Sequence, residues 1–133
     1  MAIDKRLVCG IAASPFADLR QIIHDYFAHI IFVHINWIPD EALVYTERIA
    51  HFPIDSVRPA ESAKLITQPT MIIHGLADKK ISYTYGLEIF NNLSSKDKLW
   101  YPIPGGGHDN LPKIGGAEYY IKIVEFYKKY LTD

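Results

Sequence analysis

Two residues, Asp78 and His108, have the side chains and the placement that acid–base chemistry requires. Asp78 comes five residues after the apolar run Thr70–Ile73, and His108 directly follows the glycine run at 105–107. A histidine that acts as a general base must hold one tautomer and must be stabilised as an imidazolium, and a carboxylate on its far nitrogen does both. We therefore predict that a carboxylate oxygen of Asp78 lies within hydrogen-bonding reach of a ring nitrogen of His108.

Short apolar runs predict three buried strands that would position this pair, over Arg6–Ala13, Thr70–Ile73 and Leu99–Ile103. The third strand contains Pro102, which cannot donate to a ladder and so belongs at a sheet edge. Strands that alternate with helices indicate a parallel sheet with right-handed crossovers. The predicted fold class is α/β: a three-layer, partial parallel sheet of three strands flanked by helices. Functional residues of such sheets lie in loops past the carboxyl ends of the strands, where Asp78 falls.

Helical spacing of apolar residues predicts the elements around these strands. Asp18 and Ser82 are predicted to cap two helices, and Pro59–Ile66 reads as a short helix. The last helix is predicted to bury one face, which comprises Tyr120, Ile123, Val124, Tyr127 and Leu131. Residues 34–55 lack a clean period, so an irregular insert or lid-like segment is expected there, which could contain a helix over Asp40–Ala50. Residues 1–133 are predicted to form a single partial domain.

Composition limits the classes of protein and partner. About half of the 133 residues are hydrophobic (49%) and 22% are charged, which is typical of a folded domain. The net charge of −1 does not favour a nucleic acid partner. The one cysteine, Cys9, cannot form an internal disulfide, which favours a cytoplasmic location. No signal peptide is recognised, and the apolar run Ile30–Ile38 is interrupted and too short for a membrane span.

The segment His-Gly-Leu-Ala-Asp at 74–78, followed by a strand and by Gly-Gly-His at 106–108, resembles the acid and histidine motifs of α/β-hydrolase serine hydrolases. The segment Ala-Ser-Pro-Phe at 13–16 also resembles the sixth-strand region of that family. The spacing from 69–73 to His108 is similar to that of prolyl-oligopeptidase-like hydrolases. This resemblance implies that Asp78 is the acid and His108 the base of a catalytic triad. It also implies that the three strands are the family's sixth, seventh and eighth.

The nucleophile of that family lies in a Gly-x-Ser-x-Gly elbow after the fifth strand, and no such motif occurs here. Ser14 ends a predicted strand, but Pro15 follows it and has no N–H to donate to an oxyanion. Cys9 lies within a strand and not on an elbow. No serine has glycines at the required offsets, whether Ser14, Ser56, Ser62, Ser82, Ser94 or Ser95. The nucleophile, the oxyanion hole and the first five strands are thus expected to be missing from this chain.

Other roles are open to these residues. Asp78 could cap a nearby helix, His108 could be an ordinary loop histidine, and His74 is expected to be structural because it can bond locally. A metal site formed by His74, Asp78, His108 and Asp109 is disfavoured because these residues lack the short helical spacing of zinc motifs. We predict neither a metal nor another cofactor.

Two classes of function are open. In the first, the chain is the C-terminal portion of a serine hydrolase that acts on a small-molecule or peptide ester or amide, and it is inactive alone. In the second, it is a non-catalytic binding or interaction module derived from the hydrolase fold. An upstream open frame that encodes Gly-x-Ser-x-Gly in register would favour the first.

The strand Arg6–Ala13 is expected to have one unpaired edge, since the family's fifth strand would be missing beside it. It is apolar and carries no internal proline or inward-facing charge, so it could pair with another strand. We predict a homodimer through this edge. The alternative is that residues 1–5 or the insert fold over it.

Overall fold

A computed structural model of the chain describes residues 1–2, 4–31 and 37–131. Its strands and helices follow the predicted alternation. In chain order they are β1 (Gly10–Ala13), α1 (Leu19–Ile31), α2 (Trp37–Ala50), a 3₁₀ turn (Ile54–Ser56), α3 (Pro59–Ala63), β2 (Thr70–Gly75), α4 (Tyr83–Asn92), β3 (Lys98–Ile103) and α5 (Leu111–Leu131).

The strands of the described residues form one parallel sheet in the order β1-β2-β3. β2 is central and buried along its whole length. Ile72 packs with α3 and α4 on one face, whereas Met71 and Ile73 pack with α5 on the other. The fold is therefore α/β with three layers, as predicted. Pro102 lies in β3, at the sheet edge that its missing N–H requires.

β1 is shorter than the predicted strand Arg6–Ala13. Its ladder begins at Gly10, which pairs with Thr70 and donates its N–H to the carbonyl of Pro69 at 3.0 Å. Residues before Gly10 have no partner in β2 because that strand starts directly after Pro69. Leu7 and Val8 are accordingly exposed, at 49% and 57%.

β2 is longer than predicted, because His74 and Gly75 belong to the strand rather than ending it. His74 pairs with Pro102 and Gly75 with Ile103. A polar ring next to a glycine is typical of a strand end, but here the ring is fully buried and has a hydrogen-bond partner. Tertiary contacts therefore extend the strand past its apolar residues.

Both predicted helix caps are present. The N–H of Gln21 donates to Asp18 Oδ1 at 3.0 Å at the start of α1, and the N–H of Thr84 donates to Ser82 Oγ at 3.3 Å at the start of α4. Each bond satisfies a donor that the first helical turn leaves unpaired.

Within 34–55 the helix predicted over Asp40–Ala50 is present: α2 covers it and begins earlier, at Trp37. Residues 34–36 lie outside the described residues. Leu43 is buried at 2% exposure, whereas Tyr45 and Ile49 are 66% and 62% exposed. Apolar residues on the solvent side obscure the helical period. The short helix predicted over Pro59–Ile66 is α3, which ends earlier, at Ala63.

The face predicted for the last helix is wrong. The helix breaks at Gly116, whose φ is +56°, and the residues after the break pack on Met71, Ile73 and Ile103. The side chains in that contact are Tyr119, Ile123, Phe126 and Tyr130. The predicted face is exposed apart from Ile123, at Tyr120, Val124, Tyr127 and Leu131. Because α5 is apolar on two sides, its spacing alone does not identify the packed side. No helix among the described residues has the length and apolar character that crossing a membrane requires.

Candidate active site

The carboxyl ends of β2 and β3 bring the two predicted site residues to one edge of the sheet. Gly75 and Ile103, the last residues of these strands, are paired in register. Asp78 lies three residues past the first, and His108 five residues past the second. The adjacent parallel strands therefore deliver both loops to the same place, as such sheets do at their functional edge.

The loops that follow β2 and β3 are joined by backbone hydrogen bonds. The N–H of Leu76 donates to the carbonyl of Ile103 at 3.1 Å, and that of Ala77 to the carbonyl of Gly106 at 2.9 Å. The approach is so close that a Cβ on Gly75 would lie 2.2 Å from the Gly106 oxygen. Only glycine fits at position 75, and the sequence motif contains it for this reason.

Asp78 has a fully buried side chain whose two oxygens have separate partners. Oδ1 accepts from the N–H groups of Lys80 and Ile81, both at 2.9 Å. Oδ2 lies 3.0 Å from Nδ1 of His108, so the predicted contact is present. Asp78 does not cap α4, because Ser82 does. A buried carboxylate is tolerated because these donors replace its hydration.

The contact with Asp78 determines which nitrogen of His108 is free. An ionised carboxylate only accepts hydrogen bonds, so Nδ1 carries the proton and Nε2 is the unprotonated nitrogen of the neutral ring. Nε2 has no hydrogen-bond partner among the described residues, and the side chain is 29% exposed. Asn110 Oδ1 accepts from the N–H of Gly107 at 2.7 Å, which fixes the loop next to His108. Nε2 is therefore free to accept a proton.

His74 lies next to Asp78 and is fully buried. Its Nε2 is 3.0 Å from the carbonyl of Ile81 and 3.5 Å from Asp78 Oδ2, whereas Nδ1 has no partner. Burial lowers the pKa of His74 because it disfavours the imidazolium. The expected local bond is thus present, with a ring that stays neutral.

An exposed ion pair joins the two loops at the surface, between Lys80 Nζ and Asp109 Oδ2. The hydrogen bond between them raises the pKa of Lys80 and lowers that of Asp109, since each charge stabilises the other. Sequence reasoning missed this pair, because nothing in the sequence relates two residues on different loops. Its charges lie outside the buried contact of Asp78 with His108.

The described residues provide no nucleophile next to His108. Ser14 has a left-handed φ of +47° and a buried Oγ without a partner, and no hydrogen bond joins it to His108. No group of three or more His, Cys, Asp or Glu side chains in the described ranges could hold a metal ion. The contact of Asp78 with His108 can hold a proton and pass it on.

This arrangement of sheet, loops and acid–histidine contact is that of the α/β-hydrolase fold. A model of the prolyl oligopeptidase family matches residues 4–133, so the chain belongs to that family. No curated protein matches it.

Solved structures agree with this fold. The Pyrococcus furiosus esterase Pf2001 is similar with a TM-score of 0.70 at 15% identity, over 98% of this chain and 48% of that one. The Pyrococcus horikoshii acylaminoacyl peptidase has a TM-score of 0.66 at 18% identity, over 98% of this chain and 21% of that one. Mycobacterium tuberculosis Rv0554 has a TM-score of 0.63 at 14% identity, over 98% and 60%. The chain thus spans about half or less of the first two.

Proposed function

We propose that this chain is the C-terminal portion of a serine hydrolase and supplies the acid Asp78 and the base His108. The observation that carries the proposal is the 3.0 Å contact between His108 Nδ1 and Asp78 Oδ2 at the carboxyl edge of the sheet. Family membership supports the reaction class. The length of the similar structures supports a second half, outside this chain, that holds the nucleophile and the oxyanion hole.

In the proposed reaction, His108 Nε2 accepts the proton of a serine hydroxyl as that oxygen attacks the carbonyl carbon. Nε2 then gives the proton to the leaving alcohol or amine. Asp78 holds the Nδ1–H during both transfers and stabilises the imidazolium between them. Small-molecule or peptide esters and amides are the proposed substrates, in keeping with an esterase and an acylaminoacyl peptidase among the similar structures.

Turnover of a p-nitrophenyl ester tests this proposal. We expect none from the chain alone, since a base without a nucleophile cannot start covalent catalysis. With the coding sequence that precedes it, we expect turnover and labelling by a serine-reactive fluorophosphonate. His108→Ala should then lower kcat by about 10³-fold or more, whereas the exposed His51→Ala should not.

Two results would contradict the proposal. An extended protein that keeps full turnover with His108→Ala would remove the base from its role. A preceding sequence without Gly-x-Ser-x-Gly would favour the second candidate function, a non-catalytic interaction module. The exposed apolar residues of α5 favour that candidate, as they could contact another protein.

A homodimer through the edge of β1 is part of this proposal for the chain alone. The N–H groups of Gly10 and Ser14 point to β2, so by strand alternation those of Ile11 and Ala13 point to the unpaired side. We expect a dimer mass by light scattering at micromolar concentration. Ala13→Pro, which removes one outward donor, should give a monomer, and a monomeric wild type would contradict edge pairing.

Location in the cytoplasm stays a prediction from the free Cys9.

A further inference from the structure

His74 is a buried polar group that the proposed reaction does not use, although it lies next to the acid. We propose that His74 is a positioning residue: its ring N–H fixes the turn from Asp78 to Ile81 and so directs Asp78 Oδ2 at His108. This inference rests on the proposed function only where it implies an effect of His74 on catalysis. Its geometry is independent of any substrate.

The hydrogen bonds of His74 define its protonation. A backbone carbonyl only accepts, so the 3.0 Å contact with the Ile81 oxygen places the proton on Nε2. Asp78 Oδ2, at 3.5 Å from Nε2, is a second acceptor on the same side of the ring. Nδ1 therefore carries no proton. This agrees with the absence of a hydrogen-bond acceptor next to Nδ1. His74 acts as a neutral N–H donor.

Both backbone polar groups of Ile81 form hydrogen bonds. Its N–H donates to Asp78 Oδ1 and its carbonyl accepts from His74. The N–H of Lys80 also donates to Oδ1, and the N–H of Asp78 donates to the Gly75 carbonyl at 3.2 Å. The turn cannot open without losing bonds to buried groups, which is costly. With Oδ1 engaged in this way, Oδ2 is the oxygen available to His108.

On the Nδ1 side, the His74 ring is held by packing, because Nδ1 makes no hydrogen bond. A Cβ on Gly86 of α4 would lie 2.4 Å from His74 Nδ1 and 3.3 Å from a ring carbon of Trp100. The His74 and Trp100 ring centroids are 6.4 Å apart. The backbone of α4 therefore lies directly against Nδ1, which leaves Nε2 directed at the turn.

The test compares His74→Leu, which removes the donor, with His74→Gln, whose amide can donate. Ile72→Val is the matched control, because Ile72 is equally buried on the same strand and its apolar cluster contains no residue of the turn. Two readouts need no substrate: hydrogen exchange of the Lys80 and Ile81 amides, and the tautomer of His108 from ¹⁵N shifts of its ring.

We expect His74→Leu to speed exchange of both amides by about tenfold over the control, as the loss of one hydrogen bond predicts. The fraction of His108 protonated on Nδ1 should fall in the same variant and recover in His74→Gln. Exchange and tautomer equal to those of Ile72→Val would overturn the inference. If His74→Leu does not fold, a folded His74→Gln that loses the Nδ1 tautomer would also overturn it.

These outcomes are separable from those of the proposed function. The hydrolase proposal fails if His108→Ala leaves turnover unchanged, whatever the spectra of the His74 variants show. The positioning role fails if amide exchange and the His108 tautomer are unchanged in the His74 variants, even when the enzyme is active.

Discussion

In the loops at 76–81 and 104–110, the polar contacts are mostly backbone bonds or bonds to buried side chains. The α1–α2 region differs, because exposed ion pairs join its two helices to each other and to the turn that follows them. Arg20 binds both Asp40 and Asp55, whose side chains are 51% and 68% exposed. Asp78, the centre of the site loops, has no exposed side-chain surface. Buried bonds resist salt and water, whereas exposed pairs contribute little and are screened.

Apolar contacts show the same contrast. The α1–α2 region and the turn after it have a few buried apolar residues, Ile22, Leu43 and Ile54. The site loops follow two strands that lie between two apolar clusters. The site should therefore keep its geometry when the α1–α2 region loosens, and the following variants test this independence.

The largest effect is expected from Gly75→Ala. Its Cβ would lie 2.2 Å from a backbone oxygen, so the loops must separate, which we expect to cost about 3 kcal/mol or more. The free energy of unfolding in urea measures this. Gly107→Ala is the control, because its Cβ would meet no atom closer than 3.7 Å. Equal stability of the two variants would show that the loops are not closely joined.

Ile54→Ala tests the apolar anchor of the other region. Ile54 is 1% exposed, and its truncation should cost about 2–3 kcal/mol. Hydrogen exchange should accelerate in α2, while the His108 tautomer stays as in the wild type. Ile49→Ala, at an exposed position of α2, should change neither. Loss of the Nδ1 tautomer in Ile54→Ala would show that the two regions are coupled.

A pH effect of intermediate size is expected from His74. Its pKa in the folded chain is lowered from 6.5 by burial, so below about pH 6.5 the unfolded chain binds a proton that the folded chain binds less readily. The free energy of unfolding should thus fall as the pH decreases from 7.5 to 5.5. Part of that dependence should be absent in His74→Gln, measured by urea titration at both pH values. An unchanged dependence in the variant would contradict this assignment.

The smallest effect is expected from Arg20→Gln. Exchange of α2 amides should accelerate by roughly twofold at low salt, and the difference should vanish at high salt because the lost pairs are exposed. Lys80→Gln removes a similar exposed pair from the site loops, yet the Ile81 amide should keep its protection. Faster exchange there would mean that the surface pair, and not the buried bonds, holds the site.

The sequence predicted the alternation of strands and helices and the meeting of Asp78 with His108, because the carboxyl ends of parallel strands lie at one edge of a sheet. It also predicted the caps Asp18 and Ser82, whose bonds are local. It did not predict the ends of β1 or the packed face of α5, because these depend on which residues other elements cover. The pair Lys80–Asp109 and the burial of His74 likewise arise from contacts between separate parts of the chain.

The parallel sheet also sets the order in which its strands can pair during folding. Residues 76–97 connect β2 to β3, whereas residues 14–69 connect β1 to β2. Closing the shorter connection loses less chain entropy, and distant pairings slow folding. The unit of β2, α4 and β3 is therefore expected to form first, with β1 joining it late. The loop that carries Asp78 belongs to this early unit, so the acid reaches its place before the outer strand is added.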